Sequence, residues 1–208
     1  MTPAAPRRVR RQADRRNGIL RAAARMFRQR GYSETGMRDI AGAADLSPAN
    51  LYHYFKGKDE ILYYCQDRAL DRMLAAVAAA RRASPRAADR LRSVLAAHLR
   101  VLLDEVEGAT AHLQVDALPP ALRVRIVKKR DRYERALRRL VSDGMAHGDF
   151  VDADAAIVAR GMLGALNWAV TWYRPDGPAS ADDVAETLSA FLVRGVAGHS
   201  PRSSNGTN

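Results

Sequence analysis

Hydrophobic positions along this chain recur at three- and four-residue spacing rather than in alternation. Alanine, leucine and arginine, all good helix formers, fill the intervals. No pair of alternating β-branched runs flanks an Asn-Gly or Asp-Gly turn. Breakers divide the chain at Gly31, Asp45 to Pro48, Gly57, Ser84-Pro85, Gly108, Pro119-Pro120, Gly148, Pro175 to Pro178 and Gly198. The pattern predicts an all-α chain of about nine helices, near 8–30, 37–44, 48–54, 58–83, 86–107, 110–118, 120–147, 153–173 and 180–197. A basic arm of about residues 1–10 and the polar end "HSPRSSNGTN", 199–208, read as disordered. The early helices are basic and the later ones carry wider apolar faces. We therefore expect a small module over 1–60 on a larger helical body over 61–198.

The segment "MRDIAGAADLSPANLYHYF" fits two short helices joined by a tight turn. Met37, Ile40, Ala41 and Ala44 form one apolar edge, and Leu46 plugs the corner. Ser47 is a strong N-cap, and Pro48 stands at the first helical position, where its missing N–H costs nothing. Leu51 with Tyr54 or Phe55 then faces inward. Pro48, Ala49, Asn50, Tyr52 and His53 are left on the outer face. A helix of this length fits a DNA major groove, with its first turn, Pro48 to Asn50, meeting base edges and Tyr52 and His53 meeting phosphates. Lys58 falls in the first turn after Gly57, where free N–H groups and an ammonium would together hold a phosphate. The alternative is an ordinary helix pair with a solvated basic face.

Charge favours the first reading. The chain of 208 residues has a net charge of +11, so a polyanionic partner is expected. Residues 1–60 hold 13 Lys/Arg against 6 Asp/Glu, which concentrates the positive field on the first third.

The stretch "GYSETGMRDIAGAADLSPANLYHYFKGKDEIL" resembles the N-terminal domain of the TetR family of bacterial repressors. The likeness covers roughly residues 14–62 through Gly31-Tyr32, Arg38, Ile40-Ala41, Ala44, Ser47, Leu51-Tyr52, Tyr54-Phe55 and Lys58. It implies a homodimer with a three-helix, helix-turn-helix DNA-binding head and a divergent ligand-binding body, acting on double-stranded operator DNA. Two positions depart from the pattern. Asp45 stands where glycine is common, and aspartate tolerates the left-handed conformation with some strain. Gly36 stands where a Thr or Ser commonly caps the second helix and touches phosphate. Thr35 is the residue placed to supply that hydroxyl, with Met37 and Arg38 beside it.

In the body, helix 153–173 is apolar nearly all round and must be covered on two sides. One side can face the body and the other a second subunit, as can the stripe Val184, Leu188, Phe191 and Leu192 of the last helix. Polar residues interrupt apolar faces at His98, Asn167 and Arg130, the last on the stripe Ile126, Arg130, Tyr133, Leu137 and Leu140. Each is read either as a satisfied core residue, with Arg130 paired to Asp116 or reaching water, or as part of a ligand pocket with Leu102, Tyr133, Leu163, Trp168 and Thr171. The end "LNWAVTWYRPDGPASADDVAETLSAFLVRGV" resembles TetR-type regulators of fatty-acid, sterol-ring and aromatic-acid catabolism. That likeness implies a small-molecule inducer of the acyl- or aryl-CoA thioester class. The alternative is a neutral apolar effector, for which Arg130 would be irrelevant.

No His-Glu metal pair, nucleophile motif or Gly-rich phosphate loop points to an enzyme, and no cofactor or metal is expected. Cys65, the single cysteine, excludes a disulfide framework. The basic start lacks an apolar run behind it, and no segment is apolar over the roughly 18 residues that span a bilayer, so a cytoplasmic protein without a membrane partner is expected. A basic helical adaptor at a membrane surface is the remote alternative.

Overall fold

The computed structural model describes residues 7–103 and 114–198. Among them are eight α-helices: α1 (Arg7–Arg30), α2 (Met37–Ala43), α3 (Pro48–Tyr52), α4 (Lys58–Ala83), α5 (Ala87–Leu103), α6 (Pro120–Ala146), α7 (Ala155–Trp172) and α8 (Ala181–Val196). The all-α expectation is met. The first four residues of the helix expected at 110–118 lie outside the described residues, and the rest forms only a 3-10 turn, Val115–Ala117, rather than an α-helix. The expected tail also lies outside them, as do residues 1–6 of the expected arm. Residues 7–10 of that arm are helical, because the arginine-rich run continues α1 without a breaker.

Local chemistry sets the boundaries. Gly31 ends α1 with φ +83° while its N–H donates to the Phe27 carbonyl at 3.0 Å. Ser47 caps α3 by accepting from the Asn50 N–H at 3.2 Å, with Pro48 in the first turn. Asp45 takes φ +52° in the α2–α3 turn, and Arg15 donates to its carbonyl at 3.0 Å. Asp154 caps α7, accepting from the N–H groups of Ala156 and Ile157, and Ser180 with Asp183 boxes the start of α8.

We call α1–α3 the head and α4–α8 the body. Ile19, Phe27, Ile40, Leu51 and Phe55 are almost fully buried in the head, joined by Ile61 and Leu62 of α4. Truncating Phe55 to alanine there would cost about 3–5 kcal/mol. The 26 residues of α4 lead out of the head and into the body. In the body α5 is central and packs against α4, α6, α7 and α8. Two polar joints hold these layers. Lys129 of α6 reaches Asp67 (2.6 Å) and Asp71 (2.8 Å) of α4, and Arg125, one turn earlier, lies over the Tyr63 ring at 4.8 Å. Arg100 of α5 holds Asp182 (2.7 Å) and Glu186 (2.5 Å) of α8.

Helix α7 has two unlike sides. Ala159, Met162, Leu166 and Ala169 are buried in the body. Ile157, Gly161, Gly164, Trp168 and Trp172 face outward. No described helix is long and apolar enough to cross a membrane.

Candidate functional site

The capping of α3 decides what the head presents. Ser47 and Pro48 start the helix, and Leu51 and Phe55 anchor one side in the core. The opposite side, Pro48, Ala49, Asn50, Tyr52 and His53, is exposed, with Tyr52 at 55 %. Arg38 is exposed on α2. A cleft of about 480 Å³ separates α3 from the start of α1, lined by Arg11, Gln12, Leu46, Asn50, His53 and Tyr54. The expected outward set is thus gathered on one surface, and Arg11 and Gln12 join it. Nothing in the local pattern of α1 marks Arg11 among its many arginines.

Three expected members of that surface have other surroundings. Thr35 is 1 % exposed, and its hydroxyl donates to the carbonyls of Gly31 (2.7 Å) and Met26 (3.3 Å). It satisfies the end of α1, so it is not the outward hydroxyl that would replace the one missing at Gly36. Met37 is half-buried and packs on the head core. The ammonium of Lys58 donates to the carbonyls of Tyr32 (3.1 Å), Ser33 (3.2 Å) and Thr35 (3.2 Å), 4.6 Å from the Tyr32 ring centre. An ammonium has three donors, and all are used inside the chain. Tyr32 in turn donates to the Asp59 carboxylate. Burial, then that hydrogen bond and charge, raises the pKa of the Tyr32 phenol. Lys58 therefore staples the start of α4 to the α1–α2 loop.

In the body the structure brings together three of the expected pocket residues from three helices. His98 of α5 is 1 % exposed. Its Nδ1 lies 3.0 Å from the Tyr133 hydroxyl of α6, and its Nε2 lies 3.3 Å from Oδ1 of Asn167 of α7. With Asn167 presenting its carbonyl oxygen, Nε2 carries the proton and Nδ1 accepts from the Tyr133 hydroxyl. Burial pulls the His98 pKa down to about 4, against the Asn167 hydrogen bond that raises it and with the nearby Arg130 charge that lowers it further. The imidazole is neutral at pH 7, and its two ring nitrogens are satisfied as a core residue requires. Arg130 is half-buried. Burial lowers its pKa, and the charge of Asp116 partly offsets this. Asp116 itself pairs with Arg123 at 3.1 Å.

Leu102 is buried one turn beyond His98, and Leu163 is half-buried against the core. Trp168 and Thr171 do not line the interior. Trp168 is 66 % exposed, and the exposed Thr171 donates back to the Trp168 carbonyl at 2.7 Å. A helix apolar on all sides offers no clue to which side turns inward, and the outward side here is the one thinned by Gly161 and Gly164. On α8, Val184 is buried, Leu188 and Leu192 are half-buried, and Phe191 is 62 % exposed. Trp172, Leu188 and Phe191 line an apolar groove of about 360 Å³ on the outer surface.

A second cleft, of about 310 Å³, lies where the head meets the body, between Arg28 of α1, Leu102 and Leu103 of α5, Val170 of α7, and Tyr173, Arg174 and Pro175 beyond it. Arg28 carries no sequence signal beyond standing next to the buried Phe27.

Comparison with known proteins accounts for this arrangement. Residues 19–65 match the family model described as bacterial regulatory proteins, tetR family, and residues 84–196 match a tetracyclin repressor-like C-terminal domain. A transcriptional repressor named KstR2 from Rhodococcus jostii is 30 % identical over 196 residues, covering 89 % of this chain and 93 % of the relative. The solved TetR family regulator PfmR from Thermus thermophilus is 36 % identical with a TM-score of 0.77, covering 88 % of this chain and 98 % of that one. The structure of KstR2 from Mycobacterium tuberculosis, described as a ketosteroid transcriptional regulator, is 26 % identical with a TM-score of 0.78, covering 88 % and 95 %. With more than half of its length matched by the C-terminal model and its head by the other, the chain belongs to the TetR family of bacterial regulators.

Proposed function

We propose that the protein is a transcriptional repressor that binds a palindromic operator as a homodimer and is released by a small-molecule inducer. The observation that carries this reading is the outward side of α3, where Pro48, Ala49, Asn50, Tyr52 and His53 stand exposed beside Arg38 and Arg11 on a strongly basic head. In a dimer, two such helices enter successive major grooves about 34–36 Å apart, with Pro48 to Asn50 at base edges and Tyr52 and His53 at phosphates. The exposed apolar residues Ile157, Trp168, Trp172 and Phe191 supply the second subunit's contact surface. Footprinting on the protein's own upstream DNA tests both points. Two symmetric protected half-sites are expected, and Phe191→Arg is expected to give monomers that protect neither. Equal affinity for upstream and random duplex at physiological salt would refute the repressor reading.

The inducer of this reading is an acyl- or aryl-CoA thioester. Its support is the buried polar trio His98, Tyr133 and Asn167 inside the body and the cleft bordered by Leu102, Val170, Arg28 and Arg174, together with the likeness to the KstR2 repressors. Calorimetry with CoA thioesters and their free acids tests it. Binding of neutral apolar compounds but of no thioester would replace it with the neutral-effector alternative.

A further inference from the structure

The start of α1 runs past the core that the helix serves. Residues 9–15 are all exposed, and the first buried residue of α1 is Ile19, so about 18 Å of helix precedes the head core. The stretch "RRVRRQADRR", 7–16, holds six arginines against the single carboxylate of Asp14. Like charges three and four positions apart weaken a free helix, so the run does not stabilise α1 itself. Its inner end is nevertheless fastened to the rest of the head. Arg15 donates to the Asp45 carbonyl in the α2–α3 turn at 3.0 Å. The Arg16 guanidinium lies 4.7 Å from the Phe55 ring centre and 4.2 Å from that of Tyr64. These contacts fix the direction in which the projecting turns leave the head.

One consequence is the cleft of about 480 Å³ that Arg11 and Gln12 line from α1, and Asn50 and His53 from the α3 side. Leu46 and Tyr54 complete its lining, and none of the six residues carries a carboxylate. Arg11 stands one turn before Arg15, about 6 Å along the helix. It has no hydrogen bond or ion pair among the described residues. Guanidinium, carboxamide and imidazole groups around a groove free of anions suit a narrow polyanion rich in acceptors. A duplex supplies one. With α3 in the major groove, one of the two sugar-phosphate strands bordering that groove passes along the α1 side of α3. We propose that α1 and α3 clamp this strand between them, with Arg11 gripping its phosphates from the α1 wall and His53 lying against it from the other. The clamp rests on the repressor reading above and adds a second helix to the DNA-contacting surface. Backbone contacts of this kind fix register and orientation rather than sequence. Arg15 and Arg16 are then positioning residues, spent on the head and setting where Arg11 stands.

The test is fluorescence anisotropy with the full chain, Arg11→Gln and, as a control, Arg82→Gln, whose arginine is exposed in the last turn of α4. Each is titrated with the protein's own upstream duplex and with a random duplex from about 50 to 200 mM salt. Arg11→Gln is expected to lower the salt slope by about one on both duplexes, and Arg82→Gln to leave it unchanged. The ratio of the two affinities should stay within about twofold of wild type, since a backbone contact carries no sequence information. Hydroxyl-radical footprinting of the upstream duplex should show sugars of one strand in each half-site losing protection in Arg11→Gln. An unchanged slope in Arg11→Gln overturns the clamp. So does an equal fall in Arg82→Gln, which would make the effect one of net charge. A changed preference at constant slope overturns it as well, by placing Arg11 at base edges. Equal binding of both duplexes by wild type removes the repressor reading, while a slope still lowered by Arg11→Gln on random duplex upholds the clamp. Wild type that binds neither duplex overturns both.

Discussion

Replacing Lys129 by methionine keeps the length of the side chain and removes its charge. The ammonium lies 2.6 Å from Oδ1 and 2.9 Å from the carbonyl of Asp67, and 2.8 Å from Oδ1 of Asp71. The two carboxylates differ in surroundings, with Asp71 64 % exposed and Asp67 25 % exposed. The contact with Asp71 is therefore worth at most about 1 kcal/mol. Asp67 decides the outcome, because methionine leaves a three-quarters-buried carboxylate without its cation. Breaking a fully buried pair costs about 3–5 kcal/mol, and solvent access here reduces this to about 1.5–2.5. For a chain of this length the melting temperature should fall by about 4–8 °C. Asp67→Asn should cost a similar amount, and the double variant less than the sum, with a coupling of about 1 kcal/mol.

The pH dependence of that loss is also set. Burial alone would lower the Lys129 pKa, but its hydrogen bonds to Asp67 and Asp71 outweigh this and hold it above the ordinary value. A raised lysine contributes fully below its unfolded pKa, near 10.4, and loses that contribution only as pH climbs through the folded value. The difference between wild type and Lys129→Met should therefore be flat from about pH 6 to 9. A melting temperature unchanged within about a degree, or strictly additive single and double variants, would refute the joint.

His98 should make the wild type acid-labile. Its folded pKa of about 4 lies below the unfolded value, so the unfolded chain takes the proton first. Stability should be flat above about pH 6.5 and fall by up to about 3 kcal/mol towards pH 4, a slope that His98→Gln should reduce in denaturant titrations. Asp45→Gly should raise the melting free energy by about 0.5–1 kcal/mol, because glycine adopts the observed positive φ without the cost of a Cβ. Gly144→Ala should destabilise by about 1–3 kcal/mol in the same assay, since its Cβ would overlap the buried Phe150 ring. Lys58→Met should lower the melting temperature and leave the salt dependence of random-duplex affinity unchanged. A slope reduced by about one with no change in melting would restore Lys58 to the phosphate surface.

Helix ends were the most legible part of the fold. Ser47, Pro48, Gly31 and the Pro119-Pro120 pair act through their own backbone or the next turn, so their effect can be read without a neighbour. The buried and exposed sides of α3 follow the same local logic. The trio in the body was legible only in part. His98, Tyr133 and Asn167 each interrupt or border an apolar stripe, which shows that they point inward. Their stripes carry no information on which helix meets which, and only the packing of α6 and α7 around α5 brings the three together.

The cations show why the rest was hidden. Lys58, Lys129, Arg28 and Arg174 look alike in sequence, as basic residues in a basic chain. Their roles depend on what lies within about 4 Å, the range over which a partly buried charge is decisively stabilised or not. Lys58 meets three carbonyls of the α1–α2 loop, and Lys129 meets two carboxylates. Each is spent on holding α4, one at the start of the helix and one within the body. The start and the middle of α4 are thus each held by a lysine. Arg28 and Arg174 meet no carboxylate among the described residues, and they border an open cleft at the junction of head and body. The same residue type therefore does different work on the two sides of this junction, and only the folded neighbourhood distinguishes them.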